Sequence, residues 1–238
     1  MSRHPSSRRL FVLAAATLAL AVPLAGCGGS SGGGGSKPAD ITAVLTKAKN
    51  AFDAATSVHF TMATNSRPTS GDAVLGADGT LTHQPAFKGT VKVQISGFSA
   101  DVPVVSVDGK VHAKLPLTPA YATINPGDYG APNPADFADP SKGISGLLLD
   151  LKGAKQTGQQ RNGNTVVTTY SGTLSGDLVK PIIPSASASG TYQTVVGIDQ
   201  TGVLTTLQVT GRFFTTTGDV TYNLVFGDYG KNVTISAP

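Results

Sequence analysis

The sequence predicts an α+β protein in which a long antiparallel sheet carries most of the chain and a few short helices cover it. Three observations lead there. From Val58 onward apolar residues recur with period two, only one stretch near the start has helical periodicity, and Gly-containing turn signals separate the runs. No repeat of 20–50 residues is present, which argues against a propeller or solenoid.

The helix comes first. Over Pro38–Thr56, Ile41, Val44, Leu45, Ala48, Phe52 and Ala55 form one apolar stripe, with Asp40 placed as N-cap. The strand faces follow: Val58/Phe60/Met62, then Val91/Val93/Ile95, then Val105 and Val107 running into Asp108-Gly109 and back through Val111, Ala113 and Leu115. Thr165–Thr173, Thr191–Ile198, Val203–Thr210 and Val220–Phe226 extend the series, the last with Val220, Tyr222, Leu224 and Phe226 on one side, and Val233–Ile235 reads as a closing strand. Asp78-Gly79, Asn162-Gly163 and Thr201-Gly202 read as turns. Asn125–Pro140, rich in Pro, Gly and Asp, reads as a loop. Asp139-Pro140 then opens a short helix through Leu151 with Ile144, Leu147, Leu148 and Leu151 as its stripe, and Ser175–Ile182 reads as a second short helix. Patterning alone leaves two interiors open, a curled sheet around an apolar cavity or a fully packed α+β core.

Charge and cysteine content narrow the function. The chain of 238 residues has 18 Lys plus Arg against 14 acids, all Asp, and a net charge of +4. The absence of Glu excludes an HExxH zinc site and the usual EF-hand loop, and the single Cys excludes a disulfide framework. Residues 1–9 are basic and residues 10–22 apolar, a secretory signal too short to span a bilayer comfortably. Leu24-Ala25-Gly26-Cys27 resembles the bacterial lipobox, whose Cys is diacylated and becomes the new N-terminus. Ser7-Arg8-Arg9-Leu10-Phe11 resembles a twin-arginine export motif, so both general and twin-arginine export stay open. Removing residues 1–26 takes away three Arg and leaves 15 Lys plus Arg against 14 Asp, a net +1 with no footprint for nucleic acid. Residues 27–37 then form a lipidated Cys with a Gly/Ser tether, and 38–238 a single domain held at the outer face of the cytoplasmic membrane.

Several segments in order resemble one family. These are the lipobox and tether, the helix ending in Thr56-Ser57-Val58-His59-Phe60, Lys88-Gly89-Thr90-Val91-Lys92-Val93, and Asp101-Val102-Pro103-Val104 with Val107-Asp108-Gly109-Lys110. Phe137-Ala138-Asp139-Pro140-Ser141-Lys142-Gly143-Ile144 and Asp228–Ile235 complete the set. Together they resemble the LppX/LprA/LprF/LprG family of mycobacterial and related actinobacterial lipoproteins. The resemblance implies a curved antiparallel half-barrel with helices on its concave face, similar to periplasmic lipoprotein carriers. It also implies an apolar cavity for acyl chains of envelope lipids such as phosphatidylinositol mannosides, related lipoglycans or triacylglycerol, action beside a membrane exporter, and no cofactor.

On that reading Val58, Phe60, Met62, Val91, Val93, Ile95, Tyr222, Leu224 and Phe226 line the cavity with Leu147, Leu148 and Leu151, and Tyr129 and Phe137 sit in a gating loop. The expected role is binding and transfer of acylated lipid by a monomer anchored through Cys27, without catalysis. A lipid-sensing adaptor is the alternative, and a lipid esterase a weaker one: Gly143-Ile144-Ser145-Gly146-Leu147 lacks the final Gly of a nucleophile elbow, and only His59, His83 and His112 remain after the signal.

Overall fold

The computed structural model describes residues 40–162, 164–215 and 218–238. Helix α1 (Ile41–Ala54) starts where the Asp40 carboxylate accepts from the Thr42 and Ala43 amides, and it buries Leu45, Ala48 and Phe52. Eleven strands follow: β1 (Ser57–Thr64), β2 (Ala73–Thr82), β3 (Ala86–Ile95), β4 (Phe98–Val107), β5 (Lys110–Ala113), β6 (Ala122–Ile124), β7 (Lys152–Asn162), β8 (Thr165–Ser175), β9 (Thr191–Asp199), β10 (Leu204–Gly211) and β11 (Val220–Gly227). Between β8 and β9 lies one helical turn, α2 (Gly176–Val179).

All pairings are antiparallel, in the order β6-β5-β4-β3-β2-β1-β11-β10-β9-β8-β7. Two meanders therefore join at the centre through β1 and β11, and β6 and β7 are opposite edges. The half-barrel with helices on a concave face is corrected here: among the described residues this is an open antiparallel sheet whose edge strands β6 and β7 have no further partner, and it does not curl round into a barrel. The chain between the edge strands is taken up crossing a face instead of pairing them. Ten strand spacings of ~4.8 Å put the edges on the order of 48 Å apart along a flat sheet, and 27 residues reach ~90 Å extended. The connection Asn125–Leu151 thus has length to spare, and it buries Pro134, Ala135, Phe137, Ala138, Ile144, Leu147, Leu148 and Leu151 where it covers the sheet. It lays the 3₁₀ helix Pro134–Ala138 on β2, β3 and β4, and a second, Gly146–Leu148, on α1.

Several local expectations change. Asp78-Gly79 is not a turn but the middle of β2, where Gly79 pairs with Gly89 and an added Cβ would meet the Phe87 ring at 2.5 Å. The helix expected through Leu151 is replaced by turns and the 3₁₀ helix Gly146–Leu148, although Ile144, Leu147, Leu148 and Leu151 are all buried as the stripe required. The coil is too tight for α geometry with side chains: a Cβ on Gly143 would lie 2.4 Å from the Phe137 carbonyl oxygen. Within the expected loop, Pro126–Tyr129 and Pro134–Ala138 are 3₁₀ helices capped by Asn125 and Asn133. The second short helix shrinks to α2, and Val233–Ile235 forms no strand. Asp108-Gly109 and Thr201-Gly202 do turn, the former with φ 52° and 71°. Asn162-Gly163 falls between β7 and β8, with Gly163 outside the described residues.

β2, β6 and β7 had no periodic signature. β7 is mostly exposed, and its pairing with β8 slips twice, beside Gly153 and Gly158.

Candidate functional site

The site lies between the β2–β5 side of the sheet and the crossing segment. In β3 and β4 the odd residues of one and the even residues of the other face inward: Val91, Val93 and Ile95, then Val102 and Val104. β5 adds Val111 and Ala113, β2 adds Val74 and Ala77, and Met62 comes from β1. Leu115 comes from the loop after β5 and Ile124 from the end of β6. Across from the strands, Pro126, Tyr129, Ala131, Pro132, Pro134 and Phe137 form the cover. Val102, Val104, Val111, Ala113 and Phe137 are buried, whereas Val91, Val93, Ile95, Leu115, Ile124 and Tyr129 are half-buried. The Tyr129 hydroxyl is the one polar side-chain group in this wall, which is otherwise hydrocarbon.

Its free volume is about 60 Å³, room for only a few water molecules. Phe137 closes its inner end. The Phe137 ring packs edge-on against Phe60, centroids 6.0 Å apart, and Phe60 in turn contacts Phe87 and Phe226. Beyond that aromatic wall the interior is solid core. Phe52 of α1 meets Phe226 at 5.8 Å, and Tyr192, Phe213 and Tyr222 stack in series at 4.7 Å. Burial pushes the Tyr222 phenol up to about 12, and its hydroxyl donates to the Val74 carbonyl at 2.7 Å.

The cover is tied down by hydrogen bonds at its ends. The Ser106 hydroxyl of β4, fully buried, donates to Asn133 Oδ1 at 2.6 Å, and the same oxygen accepts from the Ala135 amide. Ser145 Oγ donates to Asp53 of α1 at 2.6 Å. Asp139 accepts from Ser141 and Lys142, and the Ser141 hydroxyl bond in particular holds its carboxyl below the usual range. Desolvation, reinforced by Asp139, pushes the neighbouring Asp136 up.

Of the expected lining residues, Met62, Val91, Val93 and Ile95 come together at this cavity with Tyr129 and Phe137. Val58, Phe60, Tyr222, Leu224, Phe226, Leu147, Leu148 and Leu151 lie in the contiguous packed core instead, Phe60 directly behind Phe137. Cys27 lies outside the described residues. Sequence reading missed the β4–β6 wall, for which the Val102/Val104 alternation was the available signal, and the prolines of the cover.

The histidines lie elsewhere. His59 pairs with Asp78 at 3.0 Å, His112 with Thr123 at 3.2 Å, and His83 stacks edge-on against Phe52. Among the described residues no three His, Cys or acidic side chains converge as metal ligands, and no helix is long and apolar enough to cross a membrane.

Comparison with known proteins agrees with this architecture. Residues 40–235 match the family model described as LppX_LprAFG lipoprotein. The chain is 29% identical to lipoprotein LprA of Mycobacterium tuberculosis over 251 residues, covering 99% of each. It is 30% identical to the lipoarabinomannan carrier protein LprG of Mycobacterium leprae over 202 residues, covering 82% of each. Among solved structures, LprF from Mycobacterium bovis superposes with a TM-score of 0.71 at 17% identity, covering 84% of this chain and 98% of that one. LppX from Mycobacterium tuberculosis gives 0.60 at 18% identity, covering 82% and 98%.

Proposed function

Because the chain belongs to the LppX_LprAFG lipoprotein family, a family of exported, membrane-anchored lipid-binding proteins and not of enzymes, we propose that it carries acylated envelope lipids with their chains in the cavity under the crossing segment. The observation that supports this best is the wall itself: eighteen residues from six strands, the loop after β5 and one cover, with a single phenol as polar side chain. Burial of hydrocarbon drives loading at about 25 cal/mol per Å² of apolar surface, and the head group stays outside. A free volume of about 60 Å³ is smaller than an acyl chain needs, so on this reading loading lifts the cover Pro126–Phe137 from β2–β4.

The relatives support an acylated lipid or glycolipid as the cargo. An LprG relative is named a lipoarabinomannan carrier, and acylated phosphatidylinositol mannosides, related lipoglycans and triacylglycerol share the diacyl or triacyl hydrocarbon that this wall accepts. Cys27 supplies the membrane anchor, and a neighbouring exporter would deliver or receive the lipid. The test is native mass spectrometry and organic extraction of the protein purified from an actinobacterial host. Co-purifying acylated lipid is expected, lost on Val91→Trp, which fills the cavity. A protein that carries no lipid and takes none up from micelles would refute the carrier role.

A further inference from the structure

At the end of the sheet where β4 begins, the cavity wall continues out of the protein. Inward positions along β4 are Val104, Val102, Ala100 and Phe98. The first two line the cavity, Ala100 packs against the core, and Phe98 is 80% exposed. Phe98 pairs directly across the Ser96-Gly97 turn with Ile95, itself a lining residue, so both lie on the same face.

The neighbouring strand repeats the pattern. β5 runs back towards that end, with the Lys114 amide bonded to the Pro103 carbonyl, and Leu115 lines the cavity. Two residues on, Leu117 is fully exposed, at 106%. It occupies the third position of a turn closed by the Thr118 amide on the Leu115 carbonyl, with Pro116 before it and φ 66°. That position favours Gly or Asn, and a leucine held there is strained. Nothing in the fold repays the strain, because the side chain touches no core. Tyr121, 37% exposed, follows in the same loop.

Two large apolar side chains thus project from adjacent turn tips, each two to four residues from the cavity lining. Charges on the strands and loops next to these tips nearly cancel: Arg67, Lys92 and Lys114 against Asp72 and Asp101. We infer that Phe98 and Leu117 insert into the bilayer surface and dock the cavity mouth on the membrane, so that an acyl chain enters past the lining residues Ile95 and Leu115. The inference rests on the carrier reading. The partner is a phospholipid surface and not a protein, because the features are isolated apical side chains rather than a packed patch, on a chain that is membrane-anchored. The balanced charge means docking needs no anionic lipid.

The experiment uses the full lipidated chain in phosphatidylcholine vesicles. Cys27 is the sole cysteine and its sulfur is acylated, so a thiol introduced by Phe98→Cys, Leu117→Cys or, at the opposite end of β4, Asp108→Cys takes up an environment-sensitive fluorophore alone. Blue-shifted emission quenched by doxyl-labelled lipid is expected at 98 and 117 and not at 108. Equal emission at all three sites overturns the inference. In parallel, the Phe98→Ser/Leu117→Asn variant should load lipid from vesicles roughly tenfold more slowly or worse, the partition gain of one large apolar side chain, while loading from micelles is unchanged. Slowing from both sources with unaltered melting would place these residues in the cavity's own action and refute docking. Wild-type protein that loads from neither source refutes the carrier reading, while the fluorophores still report whether the tips meet the bilayer.

Discussion

Replacing Phe137 with Ala tests how the cover is held. The ring is 4% exposed, packs on Phe60 at 6.0 Å, and borders the free volume on its other side. Phe→Ala in a packed core costs about 3–5 kcal/mol, and one ring face here already lacks partners, so the lower figure of about 3 kcal/mol applies. For a domain of this size that lowers Tm by roughly 6–12 °C, read by thermal unfolding of delipidated protein. Lipid should restore part of the loss, since an acyl chain can occupy the space the ring leaves. A loss under about 1 kcal/mol would show that Phe137 does not hold the cover. A loss that lipid leaves unchanged would show that the vacated space is not continuous with the binding cavity.

Gly89→Ala should destabilise by about 1–3 kcal/mol in urea unfolding, because its Cβ would sit 2.2 Å from the Asp78 carbonyl oxygen and 2.7 Å from the Phe87 ring, and the backbone cannot yield. Ser106→Ala removes the bond to Asn133 and should speed lipid uptake measured by stopped-flow fluorescence, with a stability loss of about 1–2 kcal/mol. Tyr222 makes stability fall at high pH. The unfolded phenol ionises near 10 while the folded one stays neutral up to about 12, so its contribution is complete below pH 10 and is lost as pH rises towards 12. The difference is on the order of 3 kcal/mol, and Tyr222→Phe should flatten that slope in alkaline denaturation.

Where a strand buries one face and ends in a turn, its residues announce it. β1, β3 and β11 and the Asp108-Gly109 hairpin were legible for that reason, and α1 down to its cap. β2 was hidden because its centre carries Gly79, kept free of a side chain so that the ring of Phe87 can lie over the strand. β7 was hidden because an edge strand with both faces wet has no reason to alternate. The stripe Ile144/Leu147/Leu148/Leu151 correctly marked buried residues and wrongly marked a helix, since Gly143 and Gly146 pack backbone against backbone in a tighter coil. Half of the site followed the same division. Val91, Val93 and Ile95 were readable from one strand's period, whereas the prolines opposite them could be placed only by the chain's need to travel from one edge of the sheet to the other.

The irregular β7 edge matters because of where the protein lives. Anchored copies share a plane and diffuse in two dimensions, so they meet often, and a long free strand would recruit its neighbour. Slips beside Gly153 and Gly158 break the run of outward amides and carbonyls into short pieces, and Lys152, Lys155 and Arg161 place like charge along it. An approaching copy finds no continuous ladder to extend. The edge thus discourages strand-to-strand pairing between copies crowded on one surface.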